Sequence, residues 1–304
     1  MTIVEEIMEL KEKRNAIILA HNYQLPEVQD IADFVGDSLG LSLEAAQTKA
    51  EVIVFCGVHF MAETAKILSP EKIVLLPEKK AGCPMADMIT GEELLKLKRE
   101  HPKAKVLSYV NTSAEVKALS DLCCTSANAV QMVQEGLRGE KEIIFVPDRY
   151  LADYVAQQTH RSLIIWPGFC PTHACIKPEQ VIHQKHLHPE AEVLVHPECP
   201  AEIISLADRV ASTEGMCRYV QSSQAREFII VTEEGIIHRM RRENPGKFFY
   251  PLSPPIICPT MKETTLSKVR DALTYMVHQI EVPPDIIEKA RRAITGMLQT
   301  KRGD

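Results

Sequence analysis

A chain of 304 residues, 45% hydrophobic and 25% charged, is long enough to bury several cores. Its formal net charge of −6 offers no basic field for a phosphate backbone, so nucleic acid is not an expected partner. No apolar run reaches bilayer-spanning length, and the opening MTIVEEIMELKEKRN lacks the apolar core of a signal peptide; no membrane partner is expected, and the expected compartment is the cytoplasm.

A helix is predicted over 2–14. Apolar periodicity then reads as strand 16–21, helices 27–34 and 39–50, strand 52–56, helix 60–67 and strand 73–76. The same order recurs twice more, giving units 16–104, 105–191 and 192–282. Pro283-Pro284 precedes a charged amphipathic helix near 285–300, so 283–304 is expected to pack outside the repeats. VIVFC, EIIFV, SLIIW and EFIIV are short continuous apolar runs of the kind buried on both faces of a parallel sheet. The expected fold class is therefore α/β: three pseudo-threefold-related repeats, each a small parallel sheet sandwiched by helices, with the functional site at their common interface. A linear stack is the alternative, although solenoid repeats are usually shorter.

Three unrelated features recur at offsets of 87 or 88 residues: 88 then 87 for the strand ends and helix starts, 87 then 88 for the cysteines. The first strands of the units end at His21, Tyr109 and His196, each followed two residues later by another polar side chain: Tyr23, Asn111 and Glu198. Helical segments begin at or just after Ser38, Ser126 and Thr213, with Ser212 beside the last. Near the end of each unit stand Cys83, Cys170 and Cys258. Sites in open parallel sheets gather beyond the carboxyl ends of the strands, which is where these residues fall.

Nine cysteines in a reducing compartment suggest metal binding or catalysis rather than disulfides. Neither CxxC nor CxxxCxxC occurs. Three thiolates from three units suit zinc or an iron–sulfur cluster. Zinc would recruit a fourth ligand or keep a water, whereas a four-iron cluster on three cysteines leaves one iron free to act as a Lewis acid. Of the others, Cys56 is expected in a core, and Cys123, Cys175 and Cys217 are expected to pack against helices. Cys124 and Cys199 sit beside candidate site residues, which allows some exposure to the cavity, and are not assigned as ligands.

GCPMAD at 82–87, PGFCPTH at 167–173 and CPTMK at 258–262 resemble the three cysteine motifs of the quinolinate synthase family. AHNYQ at 20–24, GDSLGLS at 36–42, SYVNTSAEVKA at 108–118 and HPEC at 196–199 are similar to its other signature segments, so the resemblance runs over nearly the whole chain. It implies a [4Fe–4S] cluster with one open iron between three homologous domains. The implied reaction condenses iminoaspartate with dihydroxyacetone phosphate to give quinolinate, phosphate and two waters in de novo NAD synthesis. Some members carry extra cysteines before the third ligand; Leu252 and Pro255 stand at those places here.

For this chemistry Tyr23 is the expected acid–base on the triose and Glu198 the base of the final dehydration. His21 and His196 would bind phosphate or carboxylate and relay protons. Tyr109 and Asn111 would hydrogen-bond the dicarboxylate, and His173 would orient substrate or donate to the cluster edge. Ser38, Ser126, Ser212 and Thr213 would receive anionic groups at helix starts, or simply cap those helices. Transient contact with an aspartate-oxidising enzyme, the source of the imine, is expected on chemical grounds. Two rivals remain open: a hydro-lyase with an open iron that binds a single dicarboxylate, and a non-enzymatic iron–sulfur sensor or zinc-stabilised binding protein. No GxGxxG after a strand and no GxxxxGK[ST] supports nucleotide binding.

Overall fold

In a computed structural model, whose described residues are 2–304, the chain forms three four-stranded, all-parallel sheets flanked by helices. The first contains β1 (Ala16–His21), β2 (Phe34–Gly36), β3 (Val52–Cys56) and β4 (Ile73–Leu75). The second contains β5 (Lys105–Tyr109), β6 (Leu122–Cys124), β7 (Ile143–Val146) and β8 (Ile164–Ile165). The third contains β9 (Glu192–Val195), β10 (Arg209–Val210), β11 (Glu227–Val231) and β12 (Phe248–Pro251). Each sheet has the same order, second, first, third and fourth strand of its unit, which is the expected fold class. Among the described residues no helix is long and apolar enough to cross a membrane.

One expected element is corrected. The helix predicted over 27–34 ends at Asp30, and Phe34–Gly36 is a strand. Like β6 and β10, it spans only two or three residues, too few to display a period of two. A trio of aspartates fixes these edges. Asp33, Asp121 and Asp208 accept from the backbone N–H groups of Ile18, Val106 and Val193 at 2.8, 2.9 and 2.8 Å. Each returns its own N–H to the carbonyl of that same residue, at 2.9, 3.0 and 3.0 Å. These aspartates keep the 88/87 register.

Period-two alternation along the first strands sorts their side chains between cores. Leu19, Leu107 and Leu194, again in register, point into one central cluster shared by all three units. Their neighbours Ile18, Val106 and Val193 point into three separate peripheral clusters. All six are buried, each leucine worth roughly 1.5–3 kcal/mol of transfer free energy. A shared inner core therefore forces the three sheets to face one another.

The helix Pro284–Gln299 buries Ala290, Ala293, Ile294 and Met297, an i, i+3, i+4, i+7 stripe. The stripe packs on the helices Ala114–Ala118 and His59–Leu68 and on β6, so it joins the first two units. Its last turn accepts a bond from Asn128 Nδ2 at the Met297 carbonyl (3.0 Å).

Candidate functional site

Each cysteine of the register sits in a loop tied to the end of its unit's third strand. The carbonyls of Ala81, Gly168 and Ile256, two residues before each cysteine, accept from the N–H groups of His59, Arg149 and Glu234 at 2.8, 2.8 and 2.9 Å. At Gly168 the chains run so close that a Cβ would lie 2.5 Å from the Pro147 carbonyl oxygen. Pro84, Pro171 and Pro259 follow the cysteines and lead into short helical turns at Ala86–Met88, Pro171–Ala174 and Thr260–Glu263. In the second and third units a buried carboxylate adds support: Asp148 accepts from the Cys170 N–H (3.2 Å) and Glu233 from the Cys258 N–H (3.3 Å). Lys262 then pairs with Glu233 at 2.8 Å and donates to the Tyr23 carbonyl at 2.6 Å, fastening the third cysteine motif to the end of β1.

These loops enclose a cavity of about 140 Å³ at the meeting of the units. It is lined by His21, Tyr23, Ser38, Cys83, Tyr109, Asn111, Ser126, Cys170, His173, His196, Glu198, Thr213 and Cys258. Every candidate named from the sequence except Ser212 is thus brought together. Ser212 stands behind the lining as an N-cap: its Oγ accepts from the Gly215 N–H at 3.1 Å, which sets Thr213 at the first helical position. Asp37 and Thr125 hold the corresponding places in the other units, and both line the cavity. No lining side chain among the described residues is lysine or arginine.

His21 and His196 are fixed alike. The ring Nδ1 of His21 accepts from the Tyr23 N–H (3.2 Å) and that of His196 from the Glu198 N–H (3.3 Å). Nδ1 therefore carries no proton, and Nε2–H is the remaining donor. Burial is the main influence on both, lowering His21 to about 4 and His196 to about 3, so both rings are neutral near pH 7.

A hydrogen-bonded chain crosses all three units. Tyr23 OH lies 2.5 Å from Thr232 Oγ1, which lies 2.8 Å from His173 Nε2. His173 Nδ1 is 2.8 Å from Glu198 Oε2, and Tyr109 OH donates to Glu198 Oε1 at 2.5 Å. With Thr232 as the donor to Nε2, Nδ1 holds the proton and donates to the carboxylate. Burial works to raise the Glu198 carboxyl, yet it is held below the usual range. The charges of His196 and His173, and after them the bonds from His173 and Tyr109, oppose burial. Burial keeps both tyrosines well above their ordinary value, hence protonated. Asn111 Oδ1 is buried without a partner.

Cys83, Cys170 and Cys258 are free thiols. Burial pushes Cys83 up to about 12 and Cys170 well above its usual value, so a metal must replace the protons for thiolates to persist. Cys170, His173 and Glu198 also offer donor atoms within 4.8 Å of one another, which with the cysteines is compatible with a metal cofactor. The remaining cysteines divide differently from expectation. Cys56, Cys123 and Cys217 are buried, but Cys175 is exposed, its thiol bonded to the Thr172 carbonyl at 3.1 Å. Cys124 and Cys199 are fully buried and absent from the lining.

Thr232, Asp37 and the carboxylates of Asp148 and Glu233 had no place in the sequence reading. Asp37 was within reach, since Asp37, Thr125 and Ser212 keep the register as the residues preceding Ser38, Ser126 and Thr213. Thr232 gave no such signal, because Gly57 and Pro147 occupy its place after β3 and β7.

Fold and site together define a class: a three-unit α/β protein whose parallel sheets meet around a buried cavity that combines a cysteine trio with acid–base side chains. The family model described as Quinolinate synthetase A protein matches residues 5–299. The quinolinate synthase of Desulforudis audaxviator is 57% identical over 296 residues, 97% of each chain. That of Thermodesulfovibrio yellowstonii is 56% identical over 296 residues, again 97% of each, and that of Geobacter metallireducens 53% over 301 residues, 99% of this chain and 98% of its own. The chain belongs to the quinolinate synthase family.

Proposed function

We propose that this protein condenses iminoaspartate with dihydroxyacetone phosphate, releasing quinolinate, phosphate and two waters for de novo NAD synthesis in the cytoplasm. The observation that carries the reading is the convergence of three cysteines and the acid–base side chains upon one buried cavity in a chain of this family.

Cys83, Cys170 and Cys258 would hold a [4Fe–4S] cluster, and a soft, all-sulfur donor set in a buried cavity suits it. A single ion on Cys170, His173 and Glu198 is less well supported, since both ring nitrogens of His173 already have partners. When bound, the cluster supplies a Lewis acid at its iron without a protein ligand.

The chain's own residues bind and move protons. His21 and His196 offer neutral Nε2–H donors to phosphate and carboxylate oxygens, assisted by Ser38, Ser126 and Thr213 near helix starts, with Ser212 acting as the cap that orients Thr213. Tyr109 and Asn111 receive the dicarboxylate end, Asn111 through its Nδ2 donor. Tyr23 exchanges the proton of the triose. Glu198, held as a carboxylate, takes the proton lost in the last dehydration, and His173 keeps it oriented. The units are assigned as 16–104 with the helix over 2–14, 105–191 and 192–282, with 283–304 outside them. Transient contact with an aspartate-oxidising enzyme would deliver the unstable imine.

The test is anaerobic reconstitution with iron and sulfide, followed by assay of quinolinate and phosphate from iminoaspartate generated in place and the triose phosphate. Equal amounts of the two products are expected. A fully loaded protein that dehydrates a dicarboxylate without releasing phosphate would establish the hydro-lyase instead, and a loaded protein that turns over neither would leave a sensor.

A further inference from the structure

Asp37 is an anomaly in a cavity read as accepting anions. It lines the cavity and caps the helix Ser38–Gln47 through the Gly40 N–H at 2.8 Å. The equivalent places in the other units hold the neutral Thr125 and Ser212. With Glu198 already charged, a second bare carboxylate would repel anionic substrates. Its charge is met from outside the three sheets. Arg302 Nη1 and Nη2 bond Asp37 Oδ2 and Oδ1 at 2.6 and 2.7 Å, a two-pronged pair. Both side chains are largely buried, at 18% and 7% exposure, so solvent screens the pair little. Burial works to raise the Asp37 carboxyl, and the bonds from Arg302 and Gly40 overcome it.

Arg302 is not a loose surface charge. The next residue, Gly303, donates its N–H to the Ala127 carbonyl at 2.8 Å, and the Asp304 carboxylate accepts from the Ser212 N–H at 2.6 Å. Residues 302–304 thus touch all three units beside their helix-capping positions, and two anchors hold the guanidinium against Asp37.

We propose that Arg302 is a positioning residue for anionic-substrate recognition: it acts through Asp37, cancelling that carboxylate's charge and fixing it as the cap that presents Ser38 and the helix N-terminus to the cavity. The inference rests on the reading given under Proposed function. It assigns a recognition role to a residue that does not line the cavity.

The experiment uses the full chain with its metal site loaded, and reads quinolinate affinity by calorimetry alongside steady-state KM and kcat. Arg302→Gln should weaken quinolinate binding and raise KM for the dicarboxylate on the order of ten- to a hundred-fold, with kcat changed less than about threefold and iron content unchanged. The decisive variant is Arg302→Gln combined with Asp37→Asn. Asparagine keeps the cap and removes the charge, so most of the lost affinity should return. A merely structural role predicts that affinity falls and returns only together with thermal stability and iron content, whereas a recognition role lowers affinity in protein that stays folded and fully loaded. Wild-type affinity in Arg302→Gln, or loss that the double variant does not recover, overturns the inference alone. Wild-type protein that neither binds nor forms quinolinate overturns the functional reading and this inference with it.

Discussion

Replacing Thr232 by Val tests whether the hydrogen-bonded chain does chemistry or only packs. Thr232 is 2% exposed, and Val keeps its shape while removing the hydroxyl that meets Tyr23 at 2.5 Å and His173 at 2.8 Å. Leaving a buried polar partner unpaired costs about 1–3 kcal/mol. Tyr23 borders the cavity, where water can replace the lost bond, so His173 Nε2 carries most of the loss: about 1–3 kcal/mol of stability in total. The functional effect is larger than this stability change implies. Without the Thr232 donor, Nε2 is free to hold the ring proton, and Nδ1 then presents a lone pair to Glu198. A hydrogen bond to a charged group is worth about 1.5–3 kcal/mol, so proton affinity at Glu198 should rise on the order of ten- to a hundred-fold. The sign follows from the depressed carboxyl. Its charge persists above its folded-state value and is lost as pH falls through it, so raising that value moves the acid limb of kcat/KM to higher pH. Rate profiles of loaded wild type, Thr232→Val and Thr232→Ser measure this directly, with Ser expected to restore the wild-type limb. A Val variant with an unshifted limb and full rate would refute the claim that Thr232 sets the His173 tautomer.

Alanine at Cys83, Cys170 or Cys258 should abolish bound iron and sulfide in anaerobically purified protein, whereas Cys56→Ser should keep both while lowering the melting temperature, since it buries a hydroxyl in an apolar strand. Tyr23→Phe and Glu198→Gln should retain iron but lose quinolinate formation by on the order of a hundred- to ten-thousand-fold, with phosphate release surviving better in the Glu198 variant; near wild-type turnover in both would move suspicion to His21 and His196. Asp121→Ala should cost about 1–3 kcal/mol in denaturant unfolding, because the buried Val106 N–H loses its acceptor while the distant cavity keeps its residues.

What was legible in the sequence is what recurs. A strand end, a helix start and a cysteine repeating at offsets of 87 or 88 residues identified all but one of the lining residues named in advance, because equivalent positions in equivalent units must face a common centre. The same logic fails where the units have diverged. Thr232 follows β11 where glycine and proline follow the other third strands, and Glu233 and Asp148 correspond to Val58, so periodicity gave no hint of any of them. Local pattern also failed for β2, whose three residues are fixed by Asp33 reaching Ile18, a contact across fifteen residues. Ser212 takes the capping alternative of its two expected roles. It carries the right side chain at the right place, but its hydroxyl is already committed to capping.

The distribution of charge ties the site to its proposed turnover. Lysine and arginine are absent from the lining among the described residues, yet cations stand one layer behind it, each with a partner: Lys262 with Glu233, Arg302 with Asp37, and the buried Lys117 with the Thr112 carbonyl. Direct ion pairs in so buried a cavity would bind a dicarboxylate tightly before and after reaction, which lowers KM without raising kcat and slows release of a product that is itself a dicarboxylate. Under the proposed reading, neutral donors such as the Nε2–H groups of His21 and His196 would orient anionic oxygens by direction rather than by net charge, and being neutral across the physiological range they would do so independently of pH. On the proposed mechanism the charge that changes during reaction would then be confined to Glu198 and its hydrogen-bonded partners. It is there, rather than at the anion-binding donors, that substitution should alter the acid limb of the rate profile.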